Sequence, residues 1–164
     1  DQLVMLDTDT LLVRNIDEYL SQSADVQAKI ADLPTVPEAK FRDIFAYFKM
    51  PLPQARYRCS FDGTSTILYC NSGVLLFNLQ RKKTWLLFEA WRDFARQILS
   101  HRDVYSLCGY FCDQAALALA MAKLAPEFKE LPVGMNFPLH LQQPAQEKML
   151  AADPVIVHYH HLLV

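Results

Sequence analysis

Two carboxylates one residue apart, Asp7 and Asp9, close the apolar run Leu3-Val4-Met5-Leu6. That run suits a buried strand of a largely parallel sheet, and ligands of such sheets sit beyond the carboxyl ends of the strands. A strand alternates its faces, so Asp7 and Asp9 point the same way. Two like charges that close repel each other unless a cation lies between them. Hard divalent ions such as Mg²⁺ or Mn²⁺ take oxygen ligands and bridge carboxylates to substrate phosphates. The plain alternative is a solvated Asp-x-Asp loop. Three more places carry polar groups at element ends: Asn71-Ser72-Gly73, Asp113-Gln114, and His158 in Val155-Ile156-Val157-His158-Tyr159. Taken alone, the first reads as a turn, Asp113 as a helix N-cap, and His158 as a core or surface histidine at a strand end. Cys59, Cys70, Cys108 and Cys112 lack the Cys-x-x-Cys spacing of a zinc site and are expected to be reduced thiols.

The elements that must position these residues follow from periodicity. Asn15 to Leu20 reads as a helical turn with Asn15 as N-cap and Glu18 three residues on. Ala24 to Ile30 fits a helix, or a strand with Val26, Ala28 and Ile30 on one face. Phe41, Ile44, Phe45 and Phe48 predict a helix between Pro37 and Pro51. Residues 54 to 65 read as an irregular connection, and Ile67–Cys70 and Val74–Phe77 as two short strands around Asn71-Ser72-Gly73. Gln80 to His101 is the longest helix expected, with Trp85, Phe88, Trp91, Phe94, Ile98 and Leu99 as a core stripe and residues 81–83 as its solvated start. Asp113 opens a second helix that ends before Pro126. Glu130 to Leu141 reads as extended, and Pro154 to Tyr159 as a last strand. Strands alternating with helices predict an α/β architecture in a single domain over residues 1–164.

The 164 residues suffice for one domain with a real core. A net charge of −2 gives no electrostatic case for nucleic acid or for an anionic membrane. No run of about 18 uninterrupted apolar residues marks a transmembrane helix. The chain opens on Asp1, two residues before a core-like strand, and closes on Leu162-Leu163-Val164. We read both as the ends of a fragment.

Taken together and in order, Asp7-Thr8-Asp9, Asn71-Ser72-Gly73-Val74, Asp113-Gln114 and His158-Tyr159 resemble the nucleotide-sugar glycosyltransferases of the A-type fold. The likeness is to the group that holds glycogenin and the bacterial galactosyltransferases. Tyr69 to Asn78 resembles the second block of that group, and Leu131-Pro132-Val133-Gly134-Met135-Asn136 a later block in which Leu-Pro precedes an Asn. The resemblance implies a partial A-type fold, a Rossmann-like mixed sheet flanked by helices, without the βα units that precede Asp-x-Asp in the family. It implies a metal-dependent, hexosyltransferase-type reaction with retention. A sugar would move from a nucleotide-diphosphate donor, UDP-linked by family habit, to an acceptor that is a glycan, a lipid or a protein. It further implies Mn²⁺, or Mg²⁺, bound by Asp7, Asp9 and His158. Asp7, Asn71, Ser72 and Gly73 would contact donor or acceptor, and Asp113 and Gln114 would face the transferred sugar. His160 competes with His158 as a ligand if the strand continues. The family's Gly and Lys-Pro-Trp after the terminal His are replaced here by His160-His161-Leu162. A cytoplasmic or membrane-peripheral location is expected, with a Golgi-lumenal one open.

Two other readings stand beside this one. Haloacid-dehalogenase-like phosphatases also follow a hydrophobic strand with Asp-x-Asp, but want Thr or Val where Leu11 stands. A glycosyltransferase-like domain that binds without turnover would carry the same motifs.

Overall fold

The computed structural model describes residues 1–141 and 153–159. Nine strands are found among them. Gln2–Leu6 (β1), Val26–Ile30 (β3), Cys70–Asn78 (β6) and Phe128–Glu130 (β7) form the main sheet in the order β1-β6-β3-β7. Only β3 and β7 run parallel; β6 is antiparallel to both of its neighbours. The sheet is thus mixed rather than largely parallel. β1 is its edge strand, half-exposed, with Leu3 and Leu6 in contact with solvent. A run of apolar residues reads as doubly buried from sequence, but here one edge and part of one face stay open.

Thr10–Leu12 (β2), Phe137–Pro138 (β8) and Ile156–His158 (β9) make a second sheet, β2-β9-β8. Tyr57–Arg58 (β4) pairs with Ser65–Thr66 (β5), so the connection expected to be irregular contains a small hairpin.

Four helices cover the main sheet: Glu38–Tyr47 (α1), Lys82–Ser100 (α2), Arg102–Cys108 (α3) and Cys112–Leu124 (α4). The larger core joins Ala28, Ile30, Leu75 and Phe77 from the strands to Ile44, Ile98 and the buried residues of α4. In α2, Leu87, Phe94 and Ile98 are buried, whereas Trp85 and Leu99 of the expected core stripe are exposed. Trp85 instead lies along the strand end, its Nε1 donating to Leu79 O. The basic start of α2 is only partly solvated, because Arg81 Nε donates to the buried Asp25 carboxylate. Thr84 Oγ1 closes the same corner through Asn78 O at 2.7 Å and Asp25 O at 3.0 Å. A smaller core, with Val74, Leu76, Leu131, Met135, Val155 and Ile156, lies on the opposite face of β6.

Several local expectations are corrected. Residues Asp17–Tyr19 form a 3-10 turn capped at Ile16, while Asn15 Oδ1 accepts from the Asp17 N–H. Val133–Asn136 is a 3-10 turn inside the stretch read as extended. The segment Arg102–Leu124 is long and apolar enough, by length and composition, to cross a membrane, which the uninterrupted-run criterion missed. In this fold Gly109, at φ 55°, separates α3 from α4, and Ala115 through Met121 are buried in the core. The four cysteines are free. Burial pushes the Cys59 and Cys108 thiols up to about 11, so both stay protonated at neutral pH.

Candidate active site

The site grows from the end of β1. Pairing with β6 continues one step past the strand, where the Asp7 N–H donates to Gly73 O at 2.9 Å. The chain then turns. Thr10 N and Thr10 Oγ1 both donate to Asp7 O, at 3.2 and 2.7 Å. The turn delivers Thr10 into β2 directly opposite His158 of β9, and Tyr159 N donates to Asp9 O at 3.0 Å. Backbone pairing therefore brings an imidazole 149 positions away onto the acidic pair. His158 Nε2 lies 3.1 Å from Asp9 Oδ1 and 3.9 Å from Asp7 Oδ2. One ligand atom from each of the three residues falls within 4.8 Å of the others. Burial is graded: His158 is 2% exposed, the Asp9 side chain 25% and the Asp7 side chain 50%.

Asn71, Ser72 and Gly73 do not form a turn between two strands. They lie inside β6, where the pairing with β3 shifts. Ala28 faces Leu75, so regular pairing would set Ile30 against Gly73; it pairs with Cys70 instead. The intervening residues bulge out of register. Bulges kink a strand and re-aim its side chains, and they recur beside active sites. From this bulge Ser72 Oγ donates to Asp113 Oδ2 at 2.5 Å, and Asn71 Oδ1 accepts from Gly73 N at 2.8 Å and Asn136 Nδ2 at 3.1 Å. Asn136 Oδ1 in turn lies 3.0 Å from His158 Nδ1. Asp113 is in the first turn of α4 rather than at its N-cap, which is Phe111. Its carbonyl accepts from Trp91 Nε1 at 2.8 Å, fixing the start of α4 against α2.

These elements enclose a cleft of about 670 Å³ lined by Asp7, Asp9, Asn71, Ser72, Asp113, Gln114 and His158, with Tyr110 and Tyr159 at its walls. Gly73 is not on the lining; it lies under the His158 ring, where a Cβ would sit 2.3 Å from Cε1. Cys112 also lines the cleft, but burial, reinforced by the Asp113 charge, raises its pKa, and a protonated thiol is no nucleophile at neutral pH. Among the described residues, no Lys or Arg lines the cleft. Gln114, Asn71 and Tyr110 are shared with an adjoining recess of about 380 Å³ that reaches Asp32, Thr35 and His140.

Two carboxylate oxygens and an imidazole nitrogen on one side of a polar cleft are a donor set suited to Mn²⁺ or Mg²⁺. His160 and His161 lie outside the described residues, as does the segment that stands in place of Lys-Pro-Trp. The sequence alone does not mark Asn136 as a site neighbour, although it closes the block Leu131–Asn136, nor Tyr110, which is 86% exposed at the cleft wall. Asn136 owes its place to a bond to Asn71, 65 positions away, and Tyr110 to the 3-10 turn that precedes α4.

A family of sequences described as the Rhodobacterales glycosyltransferase domain matches residues 1–125. No curated protein sequence matches the chain. Among solved structures, the galactosyltransferase LgtC, in complex with donor and acceptor sugar analogs, superposes with a TM-score of 0.55 at 16% identity, covering 99% of this chain and 53% of that one. The apo bifunctional glycosyltransferase WbbM gives 0.53 at 18% identity, over 98% of this chain and 29% of that one. Apo mouse xyloside xylosyltransferase 1 gives 0.51 at 20% identity, over 97% and 58%. At these identities the likeness speaks for the fold alone, which is a partial A-type glycosyltransferase fold. The chain spans about half the length of the galactosyltransferase.

Proposed function

The chain belongs to the Rhodobacterales glycosyltransferase domain family, and from that premise we propose that its cleft transfers a sugar from a nucleotide-diphosphate donor with a divalent cation held by Asp7, Asp9 and His158. One observation carries the cation. The cleft is lined by three carboxylates, Asp7, Asp9 and Asp113. Such a site repels a diphosphate unless positive charge is added between them. When bound, Mn²⁺ or Mg²⁺ supplies that charge and stabilises the diphosphate as it leaves.

The chain's own residues have separate tasks in this reading. Asp113, with Oδ2 engaged by Ser72, is oriented toward the cleft and serves to bind sugar hydroxyls. Gln114 offers an amide donor and acceptor of the kind that hydroxyls pair with, and Asn71, whose Oδ1 already accepts from Gly73 N and Asn136 Nδ2, offers its NH₂. Tyr110 presents an exposed ring that suits stacking on a sugar face or a base. We read the donor as a UDP-hexose and the outcome as retention on the resemblance of the motifs alone. A front-face displacement fits this lining, because it needs no protein nucleophile. The acceptor hydroxyl attacks the anomeric carbon on the face that the diphosphate leaves, the carbon–oxygen bond to the diphosphate breaks, and the acceptor proton passes to the departing phosphate oxygen.

Asp9→Asn tests the reading. It keeps the side-chain shape and removes the charge nearest His158. Release of nucleoside diphosphate from a UDP-hexose in the presence of Mn²⁺ should fall on the order of 10²- to 10³-fold. Activity equal to wild type removes Asp9 from the cation site.

A further inference from the structure

We infer that Asn136 is a positioning residue that fixes the ring of His158 with its proton on Nδ1, so that Nε2 is the nitrogen presented to the cation. This rests on the reading of Asp7, Asp9 and His158 as cation ligands. The line of hydrogen bonds begins at a group whose role cannot change. A backbone N–H only donates, and the Gly73 N–H meets Asn71 Oδ1 at 2.8 Å. That atom of the Asn71 amide is therefore the oxygen. Asn136 meets the same oxygen at 3.1 Å and must do so through its NH₂. The other amide atom of Asn136 is then its oxygen, 3.0 Å from His158 Nδ1. An amide oxygen only accepts, so Nδ1 carries a proton in the neutral ring and in the imidazolium alike.

Burial makes the assignment rigid. Asn136 is 0% exposed and His158 2%, and buried polar groups are paired as a rule. If Nδ1 lost its proton, the Asn136 amide would have to turn over. Its oxygen would then face Asn71 Oδ1, two acceptors 3.1 Å apart, too close for a water to fit between them. Asn71 cannot turn in response without losing the Gly73 N–H. The neutral ring therefore leaves its lone pair on Nε2, the atom that faces Asp9 and Asp7. Hydrogen bonds of this kind, from the non-ligating ring nitrogen, orient metal-binding histidines and raise their basicity.

Long-range ¹H–¹⁵N correlation spectra of the ¹⁵N-histidine-labelled wild-type protein read the ring directly. The expected result is a proton-bearing Nδ1 signal for His158. A proton-free Nδ1 overturns the inference without any variant being made. Mn²⁺ titration followed by electron paramagnetic resonance supplies the second readout. Asn136→Leu, close in volume but unable to accept, should bind Mn²⁺ on the order of 10- to 100-fold more weakly and lose the preference for Nδ1–H. A folded Leu variant with wild-type Mn²⁺ affinity overturns the inference while the cation reading survives. Absence of Mn²⁺ binding by a wild-type protein whose Nδ1 is protonated overturns the cation reading and leaves the tautomer assignment standing.

Discussion

At Gly73 any Cβ would force the His158 ring to move. A Cβ there would lie 2.3 Å from His158 Cε1 and 2.7 Å from Nδ1. The ring is the rigid partner in this contact, held by Asn136 on one side and facing Asp9 on the other. Gly73→Ala should therefore displace His158 rather than be absorbed. Overpacking of this sort destabilises by about 1–3 kcal/mol, and Mn²⁺ affinity should fall well beyond what that loss explains, as a Mn²⁺ titration at a temperature where the variant stays folded can measure. At this scale much of the site was legible. Asp7, Asp9, Asn71, Ser72, Asp113, Gln114 and His158 each stand in a short motif, and the fold gathers them at one cleft. Asn136 was seen only as part of a block, because its role comes from a bond to Asn71 that spans 65 positions. Asp32 and Lys29 were not seen at all: a Lys in a strand of five residues reads as a solvated face.

Lys29 is instead buried in β3 at 1% exposure and donates to Asp32 just past the strand end, where Ser60 Oγ also donates at 2.8 Å. Burial pulls the Lys29 pKa down from 10.5, against the opposing pull of the Asp32 charge. The pair fastens the end of β3 to the loop that follows β4, close to the recess beside the cleft. Lys29→Met leaves the Asp32 carboxylate buried without its counter-charge and should cost about 3–5 kcal/mol, read from urea unfolding midpoints. Lys29→Met with Asp32→Leu removes both charges and should recover more than half of that loss. Recovery of nothing would mean that the pair holds shape through Ser60 rather than through charge balance. Helices were the more legible elements, since Phe41, Ile44 and Phe45 carry their period within one segment. Strand partners were not. Asn71-Ser72-Gly73 has the composition of a turn, and only the pairing of β6 with β1 and β3 shows it to be a bulge inside one strand. The edge position of β1 is likewise invisible in Leu3 to Leu6 themselves.

Across the whole molecule, β6 separates two cores. Leu75 and Phe77 face the larger one with the helices, and Val74 and Leu76 face the smaller one with Val155 and Ile156. The cleft sits at the seam: β1 and the β6 bulge belong to the main sheet, while His158 arrives on the small sheet β2-β9-β8. The smaller core therefore packs beneath the strand that carries the imidazole. Ile156, 0% exposed, packs there two residues before His158 and pairs with Leu12. Ile44, also 0% exposed, packs in the larger core on α1 and takes no part in the cleft lining. Each change to Ala should cost about 2–5 kcal/mol, from lost burial and the cavity left behind. Their effects on the site should differ. At a temperature where both variants remain folded, Ile156→Ala should weaken Mn²⁺ binding several-fold, because β9 gains freedom and His158 moves with it. Ile44→Ala should bind Mn²⁺ like wild type despite a loss of stability in the same range. Equal affinities for the two variants would show that β9 is held by its backbone pairing with β2 and β8, and that the packing beneath it contributes nothing to the geometry of the site.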